Sequence, residues 1–374
     1  MIVGLPKEVQ DHENRTALTP AGVEQLTTVR AQIVVETNAG AGSGFTDQDY
    51  QAAGARILPS AADVWRQADL VVKVKEPVKT EFEHLREGMT IFAYLHTPPR
   101  RELTQQLLDT KVTAIAYENV TAPDGSKPLL APMSEIAGKM GVLMAAQYMQ
   151  TLHRGPGVLL SSVPGLRPPV VVVLGGGVVG ASAARTAAGL GCDVYVLELM
   201  QSRVRQLCDI MPAGVKVLAS TKEHIAALVP QADVVVNCTL WPNPAGEHLV
   251  TRAMLGTMKR SAMIVDVSAD PKGSIESSEH RTHSDPTFVV DGILHYCVPN
   301  LPGVVPRTSS LALTSVTLPY MVQLAKLGVR EALLADEHFR NGLSIWQGQV
   351  TDPDTAETQG RPLVAREHAL AGRA

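Results

Sequence analysis

Five polar residues fall where open α/β sheets place their chemistry, at or just beyond the carboxyl ends of apolar runs. Arg15 lies in GLPKEVQDHENRTALTP after the first run, Lys75 closes VVKVK, His96 closes TIFAYLH, Asp270 closes MIVDVSAD, and Asn300 follows HYCVP. Four of these five residue types are what hydride chemistry at the α-carbon of an amino or keto acid needs. Cations bind a carboxylate and polarise a carbonyl, an imidazole exchanges protons near neutrality, and a carboxylate holds water or an ammonium. A nicotinamide takes the hydride, so the side chains need only position and polarise. Each residue also has a plainer reading. Arg15 could be a solvated loop charge, and Lys75 with Lys73 could mark an exposed edge strand. His96 could close a strand before Thr97-Pro98-Pro99, and Asp270 and Asn300 could be turn formers ahead of Pro271 and Leu301-Pro302-Gly303.

The elements that would position such residues are announced by VVVVLGGGVVGASAARTAAGLGCDVYVLE, residues 170–198. A β-branched strand feeds a glycine turn, then an alanine-rich helix, then a second strand ending in an acid, Glu198. That is the dinucleotide fingerprint in its required context. Gly175 permits the tight turn, Gly177 lets backbone approach a pyrophosphate, and Gly180 lets the helix pack against the strand. The helix start at Val178-Val179 offers unpaired N–H groups to phosphate. Glu198 would accept from adenosine ribose hydroxyls and repel a 2′-phosphate, which favours NAD over NADP; Arg203 is the nearest base and softens that preference.

At 374 residues the chain exceeds one ordinary domain, so two are expected. Hydrophobic residues make up 45% and aromatics 4%, which points to a core of Ala, Val, Leu and Ile. A net charge of −4 without a long basic run argues against nucleic acid. Cys192, Cys208, Cys238 and Cys297 are scattered without C-x-x-C spacing, so each reads as a small buried hydrophobe and no metal site is indicated. No signal peptide or uninterrupted membrane span is visible, and a cytoplasmic location is expected.

Strand and helix signals alternate over residues 1–130, with strands expected over 2–5, 33–36, 71–75, 90–95 and 114–117 and helices opening at Thr19-Pro20 and over 47–53. A long helix is expected over 134–152 with Ser134 as N-cap, then a Gly/Pro-rich surface excursion over 153–169. Strands near 170, 194, 216, 234, 264 and 288 build a second βα domain, and a helix over 311–326 returns to the first. The tail after about 350 reads as polar and weakly patterned. The fold expected is α/β: a Rossmann NAD-binding domain over 131–305 and a Rossmann-like substrate domain over 1–130 plus 306–374, around a cleft.

The chain resembles the alanine dehydrogenase family, which is related to the nucleotide-binding part of the nicotinamide transhydrogenases. The matching stretches include GLPKEVQDHENRTALTPAGV, GAGSGFTDQDYQAAGA, VVKVKEP, PLLAPMSEIAGKM, VVVLGGGVVG, MIVDVSAD and THSDPTFVVDGILHYCVPNLPGVVPRTSS, and the resemblance runs from residue 1 to about 330. It implies reversible NAD-dependent deamination of L-alanine to pyruvate and ammonium by a homohexamer. It also implies roles. Arg15 and Lys75 bind the substrate, His96 and Asp270 form the acid–base pair, and Asn300 and Ser134 lie near the nicotinamide. Met133 and Leu301 line the side-chain pocket, while Ser220, Leu240 and Arg203 flank the adenosine half. The chain departs from the family pattern at Glu198 (commonly Asp), at Pro271-Lys272, at Leu301 (frequently Met) and in the loop carrying Trp241, Pro242 and Pro244. These departures leave open another small amino acid or an opine-type reductive amination. An acidic substrate is among the options if Lys272 reaches the site. A different class also stays open, a transhydrogenase-like NAD-binding component without an amino-acid substrate.

Overall fold

The computed structural model describes residues 1–241 and 246–372. The chain forms two compact units, Met1–Pro132 with Gly303–Ala374, and Met133–Pro302.

The first unit begins with six parallel strands: β1 (Ile2–Leu5), β2 (Gln32–Glu36), β3 (Arg56–Leu58), β4 (Leu70–Val72), β5 (Thr90–Ala93) and β6 (Thr113–Ala116). They lie in the order β3-β2-β1-β4-β5-β6. Helices cover both faces, so β4, β5 and β6 are buried at every position and read as unbroken apolar runs. Side-chain caps set the helix starts. Thr19 accepts from Gly22 N–H ahead of Pro20–Thr28, and Thr46 with Asp49 forms a capping box ahead of Asp47–Ala52.

The second unit holds β7 (Val170–Leu174), β8 (Asp193–Glu198), β9 (Lys216–Ala219), β10 (Val234–Asn237), β11 (Met263–Asp266), β12 (Thr287–Val290) and β13 (Ile293–Tyr296). Their order is β12-β13-β11-β10-β7-β8-β9, parallel except for the β12–β13 hairpin. Val172, Leu174, Leu197, Ile225, Val235 and Ile264 are part of its core. Both sheets therefore carry the doubly wound order, with a switch point between β1 and β4 in one and between β7 and β10 in the other.

The chain then returns to the first unit through the helix Pro306–Leu327, which packs on Pro20–Thr28; Ser310 Oγ accepts from Thr16 N–H at 2.8 Å beside Arg15. β14 (Leu343–Trp346) pairs antiparallel with β6, and β15 (Gln349–Val350) pairs with β14.

Several boundaries differ from the expectation. The strand expected over 71–75 ends at Val72, because the buried Glu8 carboxylate takes the Val74 N–H at 2.6 Å. Lys73 is no edge residue: it is fully buried. The strand expected over 90–95 ends at Ala93, and the N–H groups of Leu95 and His96 go to Glu118. The helix expected over 134–152 runs Ala131–Tyr148, so Ser134 is inside its first turns and is not the cap; Pro132 is tolerated there because first-turn N–H groups need no helical partner. The helix expected over 311–326 starts earlier, at Pro306, for the same reason. The hairpin partner β13 was passed over, although Asp291 (φ 50°) and Gly292 (φ 85°) form the two-residue turn that joins it. The tail is also structured. Asp352 caps Pro353–Gln359, Gly360 ends it in the left-handed region, and Arg366–Ala371 follows. Cys297 is buried as expected, but Cys208 is exposed on the polar face of Gln201–Ile210.

Candidate active site

In the first unit Arg15 and Lys75 lie in the loops after β1 and β4, the strands that flank the switch point, and His96 follows β5. Arg15 is buried at 3% exposure, and its Nε donates to Glu13 Oε1 at 2.7 Å while its backbone N–H donates to the same oxygen at 3.1 Å. Lys75, in the loop after β4, is half-buried; burial first and the Arg15 charge second hold its ammonium below the usual lysine range. Lys75 thus lies within the field of Arg15, a cation that the buried Glu13 carboxylate already pairs.

Glu8, Lys73 and Glu81 brace this loop from below. Lys73 Nζ lies 2.8 Å from Glu81 and 3.1 Å from Glu8, with no solvent exposure of the ammonium. Burial pushes the Glu8 carboxyl above its ordinary value even against the pull of Lys73. Glu81 in turn accepts from Val78 N–H at 3.0 Å. Sequence reading passed this triad over because its members come from separate segments.

His96 sits in the left-handed region at φ 46°, a conformation that costs free energy for a non-glycine residue and collects at functional positions. Glu118 holds it there: its Oε1 accepts from His96 N–H at 2.6 Å and lies 3.7 Å from Nδ1. The imidazole remains 43% exposed and parallel to the Tyr94 ring, 6.1 Å away. Tyr94 donates its hydroxyl to Leu129 O at 2.6 Å, and burial pushes its phenol well above the usual range. Glu118 and Tyr94 were not singled out from sequence, yet both touch the His96 segment.

In the second unit the glycines divide by what surrounds them. Gly175 has φ 86°, and a Cβ there would meet Thr239 Cγ2 at 2.8 Å. A Cβ on Gly180 would lie 1.8 Å from Gly175 O. Both are demanded by the protein itself. A Cβ on Gly177 would meet nothing within 4 Å, and Gly177 is the N-cap of the helix Val178–Gly189. Its missing side chain leaves room over the helix N-terminus, where Val178 and Val179 begin the first turn. The arrangement fits a dinucleotide pyrophosphate.

Glu198 ends β8 and accepts from Gly176 N–H at 2.7 Å and from Met200 N–H at 2.8 Å. An ionised carboxylate has about four acceptor sites, so the two loop contacts leave capacity for ribose hydroxyls. Arg203 Nε donates to Gly176 O at 2.8 Å, so it braces the same turn. Ser220 N–H donates to Glu198 O at 2.9 Å, at the end of β9. Ser134 lies one turn from Gly138, whose Cβ would come within 2.0 Å of Val179 O; that helix therefore packs directly on the fingerprint helix, and Ser134 shares its packed face.

Leu240 is 93% exposed, and with Thr239, Trp241, Ser268, Asp270 and Gly273 it lines a depression of about 360 Å³ beyond β10 and β11. Pro242 and Pro244 lie outside the described residues. Asp270 is exposed; its Oδ1 accepts from Lys272 N–H at 2.9 Å in a turn begun by Pro271. Asn300 is partly exposed at φ 62°, a region asparagine tolerates. Met133 and Leu301 are buried, at 6% and 1% exposure. The acid that ends β11 is Asp266, which is buried and raised by that burial. No group of three or more His, Cys, Asp or Glu side chains suited to a metal occurs among the described residues. No described helix is long and apolar enough to cross a membrane.

Two family models match the chain. One is described as the alanine dehydrogenase/PNT N-terminal domain and covers residues 4–137; the other is described as its C-terminal domain and covers residues 141–353. An alanine dehydrogenase of Methanococcus maripaludis is 44% identical over 371 residues, 99% of this chain and all of that one. A solved L-alanine dehydrogenase superposes with a TM-score of 0.91 at 40% identity, covering 96% of this chain and 99% of the other. A solved transhydrogenase from Sinorhizobium meliloti follows at 25% identity and a TM-score of 0.78, covering 94% and 99%.

Proposed function

We propose that this chain, which belongs to the alanine dehydrogenase/PNT family, catalyses the reversible reaction of L-alanine, water and NAD⁺ to pyruvate, ammonium, NADH and a proton. The observation that carries the reading is the doubly wound strand order present in both units. One switch point presents paired cations, Arg15 and Lys75, and the other presents the glycine turn with Glu198.

In this reading Arg15 holds the substrate carboxylate. Lys75 donates to the keto oxygen or faces the amino group. An arriving carboxylate offsets the Arg15 charge, one of the influences that lower the Lys75 ammonium, so substrate binding favours its charged form. His96, held by Glu118, moves the proton at the reacting nitrogen or oxygen. Asp270 keeps one carboxylate oxygen on its own turn and presents the other to water or ammonium. Gly175, Gly177, Val178, Val179, Gly180, Glu198, Arg203, Ser220 and Leu240 would hold the dinucleotide, with Ser134, Asp270 and Asn300 at its nicotinamide end. Bound NAD supplies the hydride acceptor, and NADH the donor, of the reverse reaction.

Met133 and Leu301, both apolar and buried, would wall a small side-chain pocket, and the working form would be a homo-oligomer, a hexamer by family. An extra methylene then costs about 1–3 kcal/mol, roughly 10- to 200-fold in specificity. Specificity constants for alanine, serine, 2-aminobutyrate and aspartate with NAD⁺ test the reading. Alanine should lead by about tenfold or more. Absence of turnover with every amino acid, together with hydride exchange between nucleotides, would favour the transhydrogenase-like alternative.

A further inference from the structure

Asp270 stands on a segment that is unusually constrained for an exposed loop. Ala269 lies in the left-handed region at φ 48°, where an alanine is held only if its surroundings insist. Those surroundings converge on Asp266. This carboxylate is 1% exposed and collects four donors: Oδ1 accepts from Asn237 Nδ2 at 2.8 Å and from the N–H groups of Ser268 and Ala269 at 3.1 Å each, and Oδ2 accepts from Ser278 Oγ at 2.6 Å. Asn237 ends β10, and its Oδ1 accepts from Thr239 Oγ1 at 2.8 Å. Ser268 Oγ closes the circuit by donating to Thr239 O at 2.7 Å. Beyond Asp270 the turn is finished by Lys272 N–H on its carboxylate and Gly273 N–H on its carbonyl, both at 2.9 Å.

We propose that Asp266 is the positioning residue of this site: it bends the backbone at Ser268-Ala269 so that Asp270 faces the depression shared with Leu240, and through Asn237 it ties that bend to the loop after β10. The inference rests on the functional reading above, in which Asp270 meets the reactants. Nothing in the family resemblance assigns Asp266 a role. An ionised carboxylate, with about four acceptor sites, can take these four donors together, whereas a hydroxyl has only two lone pairs and an ammonium accepts none. Misplacing a reacting group by about 1 Å costs on the order of 10²-fold in rate.

The test is a double-mutant cycle on the full chain, reading kcat and KM for alanine, NADH affinity by fluorescence, and Tm. Asp266→Ala should lower kcat by about 10²-fold, a loss larger than any accompanying rise in the alanine KM or the NADH Kd. Asp266→Asn keeps an acceptor for the three Oδ1 donors and should recover most of that loss. In an Asp270→Asn background, Asp266→Ala should add little, because its effect acts through Asp270. If Asp266→Ala does not fold, Ser278→Ala removes a single donor and should show a smaller kcat loss that likewise vanishes in the Asp270→Asn background. Additive losses, or wild-type kcat in both Asp266→Ala and Ser278→Ala, overturn the inference alone. Wild-type kcat in Asp270→Asn overturns the functional reading of Asp270, and the inference with it.

Discussion

Replacing Lys73 by Met removes the one cation between two buried carboxylates. Lys73 Nζ has no exposure and the Glu8 and Glu81 side chains are each 4% exposed, so water cannot take over its role. Breaking a buried ion pair from one side costs about 3–5 kcal/mol. For a unit of roughly 200 residues that lowers Tm on the order of 10 °C. The sign of the pH dependence follows from Glu8. Its carboxyl already lies above its ordinary value of 4.5 through burial, with Lys73 as the largest opposing influence. Without Lys73 it rises further, so the native state binds more protons than the unfolded chain between the two values. Stability there falls as pH rises. The deficit of Lys73→Met relative to wild type should therefore be largest near pH 8 and shrink toward pH 5. The neutral triple variant Glu8→Gln, Lys73→Met, Glu81→Gln should return to within about 1 kcal/mol of wild type, because it removes the repulsion while leaving amide oxygens for the Val74 and Val78 N–H groups. Thermal unfolding across pH 5–8 reads all three proteins. A loss under about 1 kcal/mol at pH 8, or a deficit that widens on acidification, would refute the reasoning.

Three further outcomes can be checked by standard methods. Gly177→Ala should fold with an unchanged Tm, since its Cβ meets nothing within 4 Å, yet bind NADH far more weakly; Gly180→Ala, with its Cβ 1.8 Å from Gly175 O, should lose stability first. Glu198→Ala should weaken NAD binding and improve NADP relative to NAD in calorimetry, and it should also loosen the turn by freeing the Gly176 and Met200 N–H groups. His96→Ala should lose about 10²–10⁴ in turnover while still binding NADH; near wild-type turnover across pH 6–10 would remove it from the mechanism.

The sequence by itself determined whatever depends on neighbours along the chain. The β-branched run of β7, the glycines after it and the acid ending β8 form one continuous segment, and the positive φ of Gly175 and the close approach at Gly180 arise within that turn. The candidate cations and the imidazole could be picked out after apolar runs, but their roles came only from the family resemblance. Other local signals were present but passed over, such as Asp291-Gly292 in the β12–β13 hairpin and Asp352-Pro353 at a helix start. What only the tertiary structure decided are partnerships across long separations. Glu8 reaches Val74 across 66 residues, Glu118 reaches His96 across 22, and Asn237 reaches Asp266 across 29. Such contacts turn Lys73 from an apparent edge residue into a buried counter-ion, and they stop β4 and β5 short of the lengths their sequences suggest. They also distinguish Asp266, which holds the loop, from Asp270, which the loop presents. A carboxylate looks the same in sequence whether it faces water or four buried donors; its burial and its partners exist only once the strands are side by side.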